Sequence, residues 1–253
     1  MIVNFLEITS NELIIASLLF LGAILYTSVG HAGSSIYIAI MSLFGLAGAV
    51  IKPTALVLNI FVSSFTSWRF IKAKLFDLKL FIPLAIGAIP MSFVGGSIEL
   101  SNEVYKPIVG VLLIISGFSF LVEFKSKSLN VINPPNNLVA LGVGALIGLL
   151  AGLTGTGGGI FLSPIALLFS WTSIKQISGT SALFILVNSV FGLLGHTTSV
   201  GNLPSALPVF VVAVMSGALI GTRLGIKKFS NLGVKRALGV VLIIAGLKLA
   251  AGF

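Results

Sequence analysis

Two short stretches bring polar and backbone groups into an otherwise apolar chain: TGTGGG at 154–159 and VGHAGSS at 29–35. Between residues 151 and 159, five of nine positions are glycine. A glycine inside a helix costs about 1 kcal/mol relative to alanine, so such a cluster marks a sharp turn or a close backbone approach. A helix that starts after such a turn leaves unpaired N–H groups and a partial positive charge at its first residues. Gly157, Gly158, Gly159 and Ile160 would present those donors after one turn, with Thr156 beside them. Ser34 and Ser35 would do so after the other, with hydroxyls added. Such a nest binds an anion without a buried lysine. The plainer reading is close helix packing through small residues.

Other polar side chains are few. Asn59 and Asn188 stand in apolar helical stretches, where a carboxamide must find a partner. Each either braces a turn, contacts a ligand, or makes a simple interhelical bond. Thr54, Thr180 and Ser181 share those helices and commonly bond their own backbone. His31 lies in the first glycine turn and His196 near the end of a later segment. Both are candidate protonatable groups near neutral pH, or satisfied polar caps. Arg69 and Arg223, near helix ends, either snorkel to headgroups or attract anions. None of the six acids lies deep in an apolar stretch, so a relay of membrane carboxylates has no residues to use.

The elements that must position these groups are set by composition. Of 253 residues, 57% are hydrophobic and 8% charged. A soluble domain carries roughly 25% charged residues, so the solvent of this chain is the bilayer. Its apolar runs are long and unbroken, which excludes a barrel and leaves helices. Ten such stretches fall at about 13–29, 34–50, 53–71, 78–98, 104–122, 136–154, 159–171, 174–196, 203–224 and 234–251. Glu7 and Glu12, not lysines, precede the first, so no cleaved signal peptide is expected. With no cysteine, disulfide and thiolate–metal chemistry are absent. The net charge of +9 reads as membrane topology rather than nucleic-acid binding.

The chain repeats itself. A shift of 129 places Lys106 on Lys235, Gly110 on Gly239, Gly117 on Gly246 and Asn59 on Asn188. A shift of 125 places Gly30 on Gly155, Pro83 on Pro208 and Gly96 on Gly221. The expected organisation is a first repeat over 1–124, a polar linker over 125–137 and a second repeat over 138–253. Five segments per half, an odd number, inverts the second half relative to the first. Basic residues agree. With the linker cytoplasmic, twelve of fifteen Lys and Arg fall inside, and only Lys52, Lys106 and Lys248 fall outside. Loops 72–79 and 225–234 are then cytoplasmic, and both termini are not. Each half opens with a helical hairpin, spanning or re-entrant, tipped by small residues. Inverted repeats with broken helices are an architecture of secondary transporters, with the site near the midplane.

Several motifs fail. GTGGGI lacks the third glycine of a dinucleotide fingerprint and no strand precedes it; no phosphate loop exists. GTSA at 179–182 suggests an intramembrane serine hydrolase. Ser181 and His196, however, lie fifteen residues apart on one helix, about 22 Å, so Ser181 would need His31. A passive anion channel is a further alternative.

GLLAGLTGTGGGIFLSPIALL at 148–168, followed by SGTSALFILVNSVFGLLGH at 178–196, resembles the sulfite exporter TauE/SafE family. The likeness runs from about residue 18 to 250. The first half departs from the family pattern, reading Gly30-His31-Ala32-Gly33-Ser34-Ser35 where a glycine-rich tip often recurs. The resemblance implies a cell-membrane transporter, not an enzyme, for a small sulfur-containing anion such as sulfite or an organosulfonate. The sequence reading is an all-α, multi-pass protein without cofactor or metal. Its substrate site would be drawn from His31, Ser34, Ser35, Asn59, Thr156, Gly157, Gly158, Gly159 and Asn188. A homo-oligomer is compatible with it.

Overall fold

The computed structural model describes residues 9–121, 132–196, 203–227 and 232–251. Part of the predicted linker (125–131), part of the second loop (228–231), Glu7 and both chain ends lie outside the described residues. The described residues form ten helices: α1 (Ser10–Ser28), α2 (Ser34–Leu43), α3 (Gly48–Lys72), α4 (Leu78–Ser97) and α5 (Asn102–Leu121), then α6 (Asn137–Thr154), α7 (Gly159–Leu168), α8 (Ile174–Gly195), α9 (Leu207–Lys227) and α10 (Leu232–Ala250). Six of the described helices are long and apolar enough to cross a membrane.

Each predicted apolar stretch holds one helix, but the second is shorter than expected. α2 stops at Leu43 because Gly45 takes a left-handed conformation, φ +78°, and breaks the run. α2 and α7 have ten residues each, about 15 Å, half the ~30 Å hydrocarbon thickness. They are half-helices, so neither α2 nor α7 is long enough to cross on its own.

Helix starts differ in how they are capped. At the ends of the bundle, side chains cap them: Thr9 with Glu12 on α1, Asp77 on α4, Asn136 on α6 and Ser173 on α8. The two half-helices instead start at left-handed glycines, Gly33 and Gly158, with no side-chain cap. Their first amides are therefore not covered by their own caps.

Glycine-lined seams pack the helices. A methyl on Gly87 would meet the Leu141 carbonyl at 2.1 Å, and one on Gly95 the Leu149 carbonyl at 2.3 Å, so α4 and α6 run parallel. Gly217 faces Phe20 and Gly225 faces Ser28, so α1 and α9 also run parallel. α5 and α10 run antiparallel, Gly110 opposite Gly246 and Gly117 opposite Gly239. α3 and α8 cross antiparallel at the centre. There Asn59 reaches Ser189 at 3.3 Å, and Gly192 faces Leu56 at 3.6 Å.

Asp77 ties one end of the bundle together. Its carboxylate accepts from the Leu80 amide at 3.1 Å and the Thr172 hydroxyl at 2.8 Å, and its own amide donates to Thr180 Oγ1 at 3.0 Å. The α7–α8 connection is thereby held to the start of α4.

Two tests follow from this packing. A methyl on Gly144 would meet the Leu84 carbonyl at 2.1 Å, whereas nothing lies within 4 Å of one on Gly142, one face away on α6. Gly142→Ala should raise stability by roughly 0.5–1 kcal/mol, and Gly144→Ala should lower it by about 1–3 kcal/mol, read as opposite shifts of the melting temperature in detergent. Asp77→Ala removes the helix cap and the Thr172 bond but keeps the backbone amide that donates to Thr180, and should cost about 2 kcal/mol in the same melt.

Candidate functional site

The two hairpin tips meet inside the bundle. Their backbones turn through left-handed glycines, Gly30 (φ +83°) and Gly33 (+106°) in the first, Gly155 (+80°), Gly157 (+70°) and Gly158 (+83°) in the second. His31 Nε2 donates to the Gly159 carbonyl at 3.1 Å, and the Ser34 hydroxyl donates to the Thr156 carbonyl. Residues 125 positions apart in sequence logic, such as Gly33 and Gly158, thus open half-helices whose N-termini face one another's tips.

Asn59 and Asn188 flank the second tip from α3 and α8. Asn188 Nδ2 donates to the Gly157 carbonyl at 3.4 Å, and Asn59 Nδ2 donates to Ser189 Oγ at 3.3 Å. Both are fully buried, and both carboxamide oxygens lack a hydrogen-bond partner. A methyl on Gly157 would lie 2.8 Å from Asn59 Nδ2, and one on Gly158 3.2 Å from Asn188 Nδ2. Only glycine admits the carboxamides this close.

The tip carbonyls are taken up by side chains. Tyr37 donates to Ala32 O at 2.6 Å and Tyr105 to Thr154 O at 3.0 Å. With Ser34 on Thr156 O, Asn188 on Gly157 O and His31 on Gly159 O, five carbonyls of the two tips carry a side-chain donor. The negative ends of the peptide dipoles are therefore occupied, and the amide ends at Gly33 and Gly158 have no side-chain cap. The environment favours a negative solute.

A hydroxyl chain connects the first tip to α8. Ser163 Oγ lies 3.0 Å from His31 Nε2 and 2.8 Å from Ser181 Oγ. A carbonyl only accepts, so His31 Nε2 carries the proton and shares it between the Gly159 carbonyl and Ser163 Oγ, and either hydroxyl can donate in the Ser163–Ser181 bond.

All nine predicted substrate residues, His31, Ser34, Ser35, Asn59, Thr156, Gly157, Gly158, Gly159 and Asn188, are buried and belong to the two tips, their half-helices or the flanking α3 and α8. The four charged or protonatable candidates separate. His31 is in the first tip. His196 caps the end of α8 beside Lys52, Glu99 and Gly96; burial and then the Lys52 charge lower its pKa, so it is neutral at pH 7. Arg69 is in the last turn of α3, its guanidinium 5.7 Å from the Phe65 ring. It is ten residues, about 15 Å, beyond Asn59. Arg223 is exposed on α9. Neither arginine reaches the tips. Thr54 and Thr180 bond backbone carbonyls of their own helices.

Sequence reasoning missed Tyr37, Tyr105, Ser163, Ser189 and Lys52. Ser163 carried a signal: it follows Gly159 by four residues and shares its helix face. Tyr105 carried none, because its partner is 49 residues away.

The profile of the sulfite exporter TauE/SafE family matches residues 14–249. The chain belongs to that family. It is 39% identical over 233 residues to "Probable membrane transporter protein y4hK" of Sinorhizobium fredii (strain NBRC 101917 / NGR234), covering 91% of this chain and 94% of that one. It is 28% identical over 259 residues to "Probable membrane transporter protein YjnA" of Bacillus subtilis (strain 168), covering 91% and 96%. No solved structure matches this TauE/SafE chain. Family and helices together make it a multi-pass membrane protein of a transporter family.

Ser163→Ala cuts the buried link between His31 and Ser181, and should lower stability by about 1–2 kcal/mol. Ser64→Ala, which loses only a bond to Ile60 O on an exposed face, should stay within about 0.5 kcal/mol of the parent. Paired thermal melts read the contrast.

Proposed function

We propose that this protein is a secondary transporter that moves small anions, sulfur-containing ones such as sulfite or an organosulfonate, across the cell membrane by alternating access. One observation carries the reading: two glycine-capped half-helices, with buried N-termini, meet between Asn59 and Asn188. Backbone amides, the Ser35 hydroxyl and the second N–H of each carboxamide then bind the anionic group, the Ser34 and Thr156 hydroxyls join them when they release Thr156 O and Thr154, and His31 bridges the tips. The names of the relatives, both probable membrane transporters, support the class.

The two halves, 1–124 and 138–253, act as inverted repeats joined by the linker 125–137. The helix directions support this. A two-fold axis in the membrane plane turns each helix over, so α3 with α8, and α5 with α10, must run antiparallel where they meet. An axis along the membrane normal would leave them parallel. The parallel pairs α1 with α9 and α4 with α6 exchange under the same operation. The basic-residue distribution puts the linker and loops 72–79 and 225–234 in the cytoplasm, with both ends opposite.

A passive channel is a weaker fit. His31, Ser34, Ser35, Asn59, Thr156 and Asn188 are each 5% exposed or less, and a channel needs a continuous wet path. A hydrolase is weaker still, because Ser181 reaches an imidazole only through the Ser163 hydroxyl and a nucleophile must touch its base.

Gly158 is left-handed, and a side chain there meets Ile147 at 2.8 Å and Phe184 at 3.1 Å. Gly158→Val should abolish anion transport in vesicles while membrane insertion persists. Normal flux by that variant would refute the tip assignment. A thermal-shift screen of the parent against sulfite, sulfate, thiosulfate and organosulfonates should show stabilisation by at least one of them.

A further inference from the structure

Lys52 is a buried cation that the tip geometry does not explain. It lies one turn into α3, 4% exposed, and its Nζ donates to the carbonyls of Gly96 at 3.1 Å, Ile98 at 3.1 Å and Gly95 at 3.5 Å. These are the last carbonyls of α4, and they use all three ammonium protons. The stem of Lys52 runs along the second tip: a methyl on Gly155 would sit 3.0 Å from Lys52 O and 3.4 Å from its Cγ. An ionisable side chain at such a place is costly unless it serves the transported species.

The neighbourhood does not cancel the charge. His196, at the end of α8, is buried and neutral for the reasons given above. Glu99, which follows α4, acts on both Lys52 and His196 but is exposed, so water screens it. The partial negative end of α4 offsets only part of a full ammonium. The first tip has no counterpart. There Gly30 abuts Ser178 of α8, with 2.4 Å between a Gly30 methyl and Ser178 Cβ. One flank of the meeting point therefore carries a fixed positive charge and the other a hydroxymethyl group.

We propose that Lys52 is a positioning residue for charge selection: locked on the α4 carbonyls beside Gly155, it sets the positive potential that holds an anion at the second tip. The proposal rests on the anion-transport reading above. Lys52 is seven residues from Asn59 on α3, about 10 Å along the axis. The ammonium itself reaches to the end of α4, so it acts from roughly 10–15 Å, where a buried unit charge changes anion affinity on the order of tenfold. It does so without touching the anion, because its donors are already engaged.

The test is sulfite, thiosulfate and organosulfonate uptake into proteoliposomes by the parent, Lys52→Gln, Lys52→Arg and Glu99→Gln, with a thermal melt of each. Lys52→Gln keeps a donor for the α4 carbonyls but loses the charge. It should raise KM about tenfold with kcat largely retained, and Lys52→Arg should restore KM. Glu99→Gln, which removes the opposing charge, should lower KM by a smaller factor. An unchanged KM in both Lys52→Gln and Glu99→Gln would overturn the role of Lys52 and leave anion transport intact. Equal losses in Lys52→Gln and Lys52→Arg, with a lowered melting temperature, would reduce Lys52 to a helix cap. A parent that moves neither sulfite nor thiosulfate nor an organosulfonate would overturn the functional reading together with this one.

Discussion

The structure depends on one constraint: a backbone carbonyl or amide at bilayer depth must be satisfied by protein. Breaking two helices in the interior frees such groups, and the carbonyls are where the fold meets the demand. Tyr37, Tyr105, Ser34, Asn188 and His31 each donate to a tip carbonyl. These donors come from both halves of the chain. The two tips are thus held by each other and by α3, α5 and α8, and the amide ends of the half-helices remain directed inward. In the anion-transport reading proposed above, preference for negative charge would follow from which half of the peptide dipole is already occupied.

Close approach makes this possible. The helices around the tips pack through glycine against main chain: a methyl on Gly152 would meet the Ser92 carbonyl, and one on Gly96 the Gly192 carbonyl, each at 2.1 Å. Such seams leave no room for lipid or water between α4, α6 and α8. They also concentrate polar side chains in a dry centre, where unpartnered carboxamide oxygens on Asn59 and Asn188 are expensive to maintain.

Much of this was legible in the sequence. Helix positions follow from unbroken apolar runs, the tips from glycine clusters, and the Asn59–Asn188 correspondence from a constant offset of 129. What was not legible depends on partners remote in sequence. Tyr105 looks like an ordinary aromatic in the first turn of α5 until Thr154 is brought to it. Lys52 reads as a loop cation because Pro53 favours a helix start. The structure begins α3 five residues earlier, at Gly48, and so draws Lys52 into the bundle. Arg69 and Arg223 show the converse: both types suit an anion site, yet helix length and exposure keep them at the periphery.

The pairing of α1 with α9 has a consequence for how the chain is made. α1 ends at residue 28 and α9 begins at 207, so 178 residues (29–206) must be synthesised before the glycine face of α9 arrives. At roughly 5–20 residues per second, α1 waits about ten to thirty-five seconds with its seam facing lipid or the insertion machinery. Neither half can close its own core during that interval, and the nascent chain is exposed to degradation until the late helices thread back alongside the early ones.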